Sequence, residues 1–283
     1  MKIIECPRDA MQGLHDFVPT ELKAKYINQL LKVGFDTIDF GSFVSPKAIP
    51  QLRDTADVLS KLDLSSTESR LLAIVANTRG AADAEKFEEI NYLGFPLSLS
   101  ETFQQKNTNK SVDDAFNTVS EIQEICTRSG KQLVTYLSMG FGNPYGNPYE
   151  AAYLTDFVER LIKMDIRIIS LADTVGMADE SVITSAFETL IGNFEEVEFG
   201  AHLHANPKDA LMKVDAAYRA GCRRFDGAIN GYGGCPMADD VLVGNLATES
   251  IVQYAEKYSA DFQYNKTAFK ESMNIATEVF GVF

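Results

Sequence analysis

Histidine, cysteine and tryptophan are scarce in this chain of 283 residues, which contains three, four and none of them, respectively. The cysteines form no CxxC pair and match no zinc-ribbon spacing, so we expect free thiols in a reducing compartment. They are Cys6, Cys126, Cys222 and Cys235. A disulfide-stabilised scaffold and a structural zinc module are therefore disfavoured.

Long apolar runs are also absent, since none approaches the roughly 20 residues that a membrane-spanning helix needs. The first residues, MKIIECPRDA, lack the apolar region and cleavage site of a signal peptide. We therefore expect a cytoplasmic protein that has no membrane partner.

Positive charge is in short supply, because 26 basic residues face 40 acidic ones and the formal net charge is −14. Such a surface repels phosphate backbones, which excludes nucleic acid and an acidic membrane face as expected partners. A small anionic substrate stays possible if a few positive groups are concentrated in one cleft.

What the sequence does contain is a regular alternation of short β-branched runs and amphipathic helices. Eight runs fit one domain, which predicts a single-domain α/β fold over residues 1–283, the (β/α)8 TIM barrel. A doubly wound open sheet is the alternative, but no glycine-rich phosphate turn follows the first run. We expect Gly94 and Pro96 to interrupt the fourth run, which is the least regular. The runs are KIIEC, DTIDFGSF, LLAIVAN, YLGFPLSL, QLVTYLSM, IRIISLAD, VEFGAHLH and RRFDGAI.

Helix boundaries can be predicted from capping residues. In PTELKAKYINQLLKVG we expect Thr20 to cap the helix start and Gly34 to end the helix. In PKDALMKVDAAYRAG we expect Pro207 in the first turn and Gly221 at the end.

Polar side chains follow several of the predicted strands. Functional groups of such barrels lie where the strands end at the carboxyl face, so these positions are candidates for a site. They are Arg8, Asp9, Ser42, Asn77, Ser138, Asp173, His202 and His204.

His202 and His204 are two residues apart on the seventh predicted strand, so both side chains point to the same face. Two imidazoles at the barrel mouth supply half of a divalent-metal site. The alternative is a pair of hydrogen-bonded histidines without a metal. Asp9 is a candidate hard ligand and Arg8 a candidate oxyanion donor, although a surface turn with a local ion pair also explains Arg8 and Asp9.

The stretch INGYGGCPMADDVLVGNLATES follows the last predicted strand. Its glycines suit a mobile lid that would carry Cys235 as an acid or base, while a structural turn with an incidental thiol is the alternative. Asn245 is either a helix cap or a metal ligand, and the capping pattern favours the cap.

Together these motifs resemble the 3-hydroxy-3-methylglutaryl-CoA (HMG-CoA) lyases. That family belongs to the metal-dependent lyase barrels, which include isopropylmalate and homocitrate synthases. The resemblance implies cleavage of an acyl-CoA substrate, HMG-CoA, to acetyl-CoA and acetoacetate with Mg²⁺ or Mn²⁺. It also implies leucine degradation, and we expect a homodimer. The matching stretches are CPRDAMQ, GSFVSPKAIPQ, SETFQQKN, YLSMGFGNPY, ISLADTVGMAD, AHLH and GGCPMADDVLVGNLATES.

The resemblance implies a role for each matching residue. Arg8 would stabilise the enolate and Cys235 would transfer a proton, while Asp39 and Asp173 match further catalytic positions. The implied metal ligands are Asp9, His202, His204 and Asn245. The implied substrate contacts are Gln12, Ser42, Lys47 and Asn143, with Lys106 and Lys110 as further candidates for the CoA phosphates.

Several residues depart from the family pattern near the site. Asp39 replaces a glutamate and Asn143 a common cysteine. A related acyl-CoA or hydroxy-acid substrate, a condensing enzyme and a non-catalytic acyl-CoA-binding barrel therefore remain alternatives. The other departures are Gly13 and Leu14 in place of Asn-Glu, and Ala205, Asn206, Pro207 and Lys208 in place of Asp-Thr-Tyr-Gly.

Overall fold

Eight parallel strands close into a barrel in the computed structural model, which describes residues 1–234 and 243–281. The strands pair in chain order, and the last pairs with the first through Lys2↔Arg224 and Glu5↔Gly227. This arrangement confirms the predicted single-domain (β/α)8 TIM barrel. The strands are β1 (Lys2–Glu5), β2 (Thr37–Ser42), β3 (Arg70–Ile74), β4 (Ile90–Ser98), β5 (Gln132–Ser138), β6 (Ile168–Asp173), β7 (Glu198–Leu203) and β8 (Arg224–Gly227).

Helices surround the barrel because each amphipathic segment buries its apolar face against the outer side of the strands. Within the described residues, no helix is long and apolar enough to cross a lipid bilayer. The helices are α1 (Pro7–Gln12), α2 (Thr20–Leu31), α3 (Thr55–Leu59), α4 (Thr78–Ala84), α5 (Glu101–Thr108), α6 (Val112–Ser129), α7 (Ala151–Lys163), α8 (Glu180–Asn193), α9 (Ala210–Arg219), α10 (Thr248–Tyr258) and α11 (Lys266–Phe280).

The fourth strand is continuous over nine residues, so the expectation that Gly94 and Pro96 interrupt it was wrong. A Cβ atom at Gly94 would lie 2.5 Å from Ile74 Cδ1 and 3.1 Å from the Tyr136 ring. The missing side chain therefore makes room for these two residues. Pro96 pairs in register with Tyr136 and lines a cavity at the carboxyl end.

Two of the predicted helix starts were wrong. Thr20 is already the first residue of α2, and its hydroxyl donates to Asp54 Oδ2 at 2.8 Å rather than capping the helix. Pro207 lies in the turn before α9. The glycines that follow α2 and α9 do adopt positive φ, 91° at Gly34 and 103° at Gly221, as expected where a helix ends.

A buried carboxyl group connects the first strand to the last helices. Glu5 is fully buried; its Oε1 accepts the Ile229 N–H at 3.0 Å and its Oε2 accepts the Thr248 hydroxyl at 2.5 Å. Burial raises the pKa of Glu5 to about 8, although both hydrogen bonds oppose the shift. The folded protein therefore holds this carboxyl group protonated at neutral pH.

We predict that Glu5→Gln flattens the pH dependence of stability. Between about pH 5 and pH 8 the unfolded chain ionises Glu5 while the folded chain keeps the proton. The free energy of unfolding of the unmodified protein therefore falls as the pH rises, by up to about 1.4 kcal/mol per pH unit from this group. The amide of the variant can accept from the Ile229 N–H and donate to the Thr248 hydroxyl, and it cannot ionise.

Urea unfolding across this pH range measures the effect. The exposed Glu121 provides the matched control, because Glu121→Gln should leave the pH profile unchanged. Parallel profiles for Glu5→Gln and the unmodified protein would show that Glu5 is ionised in the folded state.

Candidate functional site

A cavity of about 260 Å³ opens at the carboxyl end of the barrel. Six of the candidate residues line it together, namely Arg8, Asp9, Gln12, Ser138, His202 and His204. Much of the remaining wall is apolar, including Val44, Ile49, Ile74, Phe103 and Ala172. Charged groups are thus concentrated on one side of a largely apolar pocket, which is the usual composition of a small-molecule site.

The short helix α1 presents three of these side chains. It follows β1 directly and starts at Pro7, whose ring suits a first helical turn. Asp9 Oδ1 accepts from Arg8 Nη1 at 2.9 Å and from Gln12 Nε2 at 2.8 Å. Burial raises the pKa of Asp9, but the positive charge of Arg8, with smaller contributions from His202, His204 and the Asn245 hydrogen bond, outweighs that effect and lowers it.

Arg8 is held by a second carboxylate from β2. Its Nε lies 3.0 Å and its Nη2 lies 2.5 Å from Asp39 Oδ2, and both residues are buried. Burial raises the pKa of Asp39 to about 6 against the opposing charge of Arg8, so Asp39 stays ionised at neutral pH. Asp39 bonds to Arg8 but is not among the residues that line the cavity.

The two histidines stand side by side at the end of β7, with ring centroids 5.4 Å apart. His202 Nδ1 lies 3.1 Å from Asp226 Oδ2, and His204 Nδ1 lies 3.0 Å from the Val243 carbonyl oxygen. Because both acceptors call for an N–H at Nδ1, each neutral ring keeps its lone pair at Nε2. Burial and the neighbouring His202 lower the pKa of His204, which favours that neutral form.

Asn245 reaches the same group from the other side. Its Nδ2 donates to Asp9 Oδ2 at 2.7 Å and to the Tyr232 carbonyl oxygen at 2.9 Å. Its backbone forms an antiparallel bridge with His204. The residue before α10 is Ala247, so the interpretation of Asn245 as a helix cap was wrong.

These side chains fit a divalent cation. A carboxylate, two imidazoles with free Nε2 lone pairs and a side-chain amide are donors that Mg²⁺ or Mn²⁺ accepts. Hydrogen bonds to Asp226 and Val243 already orient both rings, as groups behind metal-binding histidines do. Asn245 would offer its amide oxygen in place of Nδ2, which a half-turn of the amide achieves.

Asp173 lies behind the site and belongs to a buried ion pair. Its Oδ2 accepts from Lys213 Nζ at 2.6 Å, and its carboxylate also accepts the N–H groups of Met177 and Ala178. Lys213 donates further to the His204 carbonyl oxygen at 2.8 Å. This lysine therefore joins the ends of β6 and β7.

Ser42, Lys47 and Asn143 are not among the residues that line the cavity. Ser42 is buried; its hydroxyl accepts from the Val44 N–H at 3.1 Å and donates to the Ile74 carbonyl oxygen of β3 at 3.3 Å. Lys47 is exposed. Asn143 orders its own loop, because its Oδ1 accepts two backbone N–H groups and its Nδ2 donates to the Asn147 carbonyl. Cys235 lies outside the described residues.

The last candidates are two strand-end residues and two lysines. The Asn77 side chain accepts from the Gly80 N–H and caps α4, whereas Ser138 lines the cavity. Lys106 Nζ lies 4.6 Å from the Tyr145 ring centroid, and Lys110 Nζ donates to the Thr118 hydroxyl at 2.5 Å.

Sequence reasoning missed two residues that support the site, Asp226 and Lys213. Asp226 stands near the carboxyl end of β8, and the strand-end rule that selected the other candidates could have selected it. Lys213 lies in the middle of an amphipathic helix, where lysine is ordinary, so no local signal marks it as buried.

Comparisons with known proteins identify the family of this chain. The HMGL-like family model matches residues 2–276. Hydroxymethylglutaryl-CoA lyase YngG of Bacillus subtilis (strain 168) is 34% identical over 251 residues, which cover 89% of this chain and 83% of that protein. Mitochondrial hydroxymethylglutaryl-CoA lyase of Bos taurus is 31% identical over 255 residues, which cover 89% and 77%.

Solved structures give the same result. The HMG-CoA lyase of Bacillus subtilis superposes with a TM-score of 0.91 at 31% identity, covering 99% of this chain and 93% of that chain. An HMG-CoA lyase from A. baumannii, in complex with coenzyme A and 3-methylmalate, superposes with a TM-score of 0.90 at 31% identity, covering 99% and 91%.

We predict that Lys213→Met destabilises the fold by about 3–5 kcal/mol, because it leaves the Asp173 carboxylate buried without its cation. Adding Asp173→Asn should recover part of the loss, and urea unfolding measures both. Lys163→Met breaks an exposed pair at 3.9 Å and is the control, with a cost below about 1 kcal/mol. Equal losses for both lysine variants would contradict the buried pair.

Proposed function

Because the chain belongs to the HMGL-like family, we propose that it is a lyase that cleaves HMG-CoA to acetyl-CoA and acetoacetate with a bound divalent cation. Membership of this family confirms the resemblance found in the sequence. The observation that carries the proposal is that Asp9, His202 and His204 line one cavity beside Arg8, with Asn245 bonded to Asp9. These residues come from both ends of the chain.

The reaction needs a proton acceptor, a stabilised enolate and a proton donor. A base takes the proton of the tertiary hydroxyl group, and the carbon–carbon bond breaks. The electron pair of that bond becomes the thioester enolate of acetyl-CoA, which a proton then quenches. Mg²⁺ or Mn²⁺, held by Asp9, His202, His204 and Asn245, would polarise substrate oxygens and lower the pKa of the hydroxyl group.

Arg8 is the residue that we assign to the enolate. A guanidinium group has five N–H donors, and the bonds to Asp39, Asp9 and Gln12 use four of them. One N–H on Nη2 is therefore left for a substrate oxygen. The two carboxylates hold the group in place before charge develops, which is how such donors lower a barrier.

The other assignments follow from these positions and from the motifs. Cys235 is proposed as the proton donor to the enolate, on the motif alone. Asp39 is proposed to act by fixing Arg8, and Asp173 by fixing Lys213 and the ends of β6 and β7.

Binding of the acyl-CoA substrate is proposed from the pocket and from the A. baumannii relative, which binds coenzyme A. The apolar wall with Val44, Ile49 and Phe103 suits the acyl group, and Gln12 faces it from α1. Ser42 and Asn143 would shape the neighbouring turns. Lys47, Lys106 and Lys110 are proposed for the phosphates.

The residues that follow the histidines and differ from the family pattern do not line the cavity. Asn206, Pro207 and Lys208 are exposed, and Ala205 is buried outside the cavity lining. They therefore give no support to a different reaction. The homodimer, the cytoplasmic location and the role in leucine degradation stay predictions.

We predict that the purified full-length protein releases acetyl-CoA from HMG-CoA with Mg²⁺ or Mn²⁺ and stops when a chelator is added. His204→Ala or Asp9→Ala should lower turnover by more than about a hundredfold, because each removes a metal-binding group. A coupled acetyl-CoA assay measures this. His15→Ala changes an exposed histidine and should leave turnover unchanged. Normal turnover by His204→Ala would refute the metal centre.

We also predict that Cys235→Ala lowers kcat far more than it changes KM, because a proton donor acts on the enolate and not on bound substrate. Steady-state kinetics separates the two constants. Cys126→Ala, at a buried position in α6, is the control. An unchanged kcat in Cys235→Ala would make that thiol structural.

A further inference from the structure

A second group of possible metal ligands lies next to the histidine pair. Cys6, His202 and Asp226 each offer one ligand atom, and these atoms all lie within 4.8 Å of one another. Cys6 follows β1, Asp226 is in β8 and His202 is in β7, so three adjacent strands bring them together. Cys6 is 1% and Asp226 is 2% exposed.

The bonding of this group is incomplete in the described part of the chain. Asp226 Oδ2 meets His202 Nδ1, but Asp226 Oδ1 is buried and has no hydrogen-bond partner there. The Cys6 thiol makes only a long contact, 3.6 Å, with the Ile4 carbonyl oxygen. A buried carboxylate oxygen without a partner is costly and calls for a ligand that occupies it.

We propose that Cys6, His202 and Asp226 form a second site, for Zn²⁺ or a similar thiophilic cation, that shares His202 with the proposed Mg²⁺ or Mn²⁺ centre, and that its occupation opposes binding at that centre. Thiolate, imidazole and carboxylate are zinc ligands, whereas Mg²⁺ prefers oxygen. Three protein ligands leave the fourth position of a tetrahedron to water.

Binding at this site displaces one proton. The Cys6 thiol must lose its proton before its sulfur can bind a cation, and the carboxylates of Asp226, Asp39 and Asp9 are close enough to act on it. Zn²⁺ therefore replaces the thiol proton, which leaves for solvent as the Zn–S bond forms. The same carboxylates supply the negative charge that attracts the cation.

The opposition between the two sites follows from the chemistry of one imidazole. His202 Nδ1 is the nitrogen that faces Asp226. When Nδ1 binds Zn²⁺, the single proton of the neutral ring must move to Nε2, and Nε2 then has no lone pair for Mg²⁺. The opposition is reciprocal, so each cation weakens the other equally. This part rests on the proposed function, whereas the zinc site itself does not.

Titration of the metal-free full-length protein with Cd²⁺ tests the site, because a cadmium–thiolate bond absorbs in the ultraviolet. We expect the absorption to saturate at one Cd²⁺ per chain and to disappear in Cys6→Ser, with affinity at least about tenfold lower. Cys222→Ser and Cys235→Ser are the controls and should keep it. Absorption that survives Cys6→Ser, or that needs Cys235, would overturn the site.

A carboxylate variant covers the case in which Cys6→Ser folds poorly. Asp226→Asn should keep the thiolate absorption but weaken Cd²⁺ binding, which supports the site even if Cys6→Ser folds poorly. The alternative is a water molecule that joins Asp226 to the neighbouring Arg224. In that case no variant shows cadmium absorption, and this result would overturn the proposal.

Electron paramagnetic resonance of Mn²⁺ then tests whether the two cations oppose each other's binding. We expect Zn²⁺ to release bound Mn²⁺ at lower concentration from the unmodified protein than from Cys6→Ser, in which only direct competition for the Mn²⁺ ligands remains. Simultaneous binding of both cations would overturn the opposition. Cadmium–thiolate absorption in a protein that binds no Mn²⁺ would support the zinc site while contradicting the proposed function.

Discussion

The carboxylate of Asp9 connects the parts of the chain on which the site depends. One oxygen accepts from Arg8 and Gln12 in α1, and the other accepts from Asn245, which lies 236 residues away. Asp9 is buried, and its charge is tolerated because cationic and polar groups surround it. The barrel makes this possible, since closing β1 against β8 brings the two ends of the chain to one rim.

The surroundings of Asp9 also explain how an acidic protein can act on an anionic substrate. The chain carries a formal charge of −14, yet Arg8 and the cation proposed beside it put positive charge at the cavity. The opposing carboxylates of Asp39 and Asp226 lie behind the lining. A substrate carboxylate would therefore meet the positive groups first, while the negative ones keep them oriented.

Much of the fold could be predicted because its signals are local and repeat. All eight strands were recognised from β-branched runs, and the rule that sites lie at strand ends selected Arg8, Asp9, His202 and His204. The helix starts at Thr20 and Pro207 were wrong because tertiary contacts outweighed capping preferences; the Thr20 hydroxyl bonds to Asp54 in another segment. The role of Lys213 depends on contacts across strands, which a single sequence does not display, whereas the same strand-end rule could have selected Asp226.

Two hydrogen bonds determine when part of the chain loses its conformational entropy. They run from Asn245 to the Tyr232 carbonyl and from His204 to the Val243 carbonyl. Tyr232 and Val243 flank the segment that contains Cys235, and each is tied to a residue proposed to hold the cation. The entropy lost in joining the two ends of that segment is therefore lost during folding and not during each catalytic cycle.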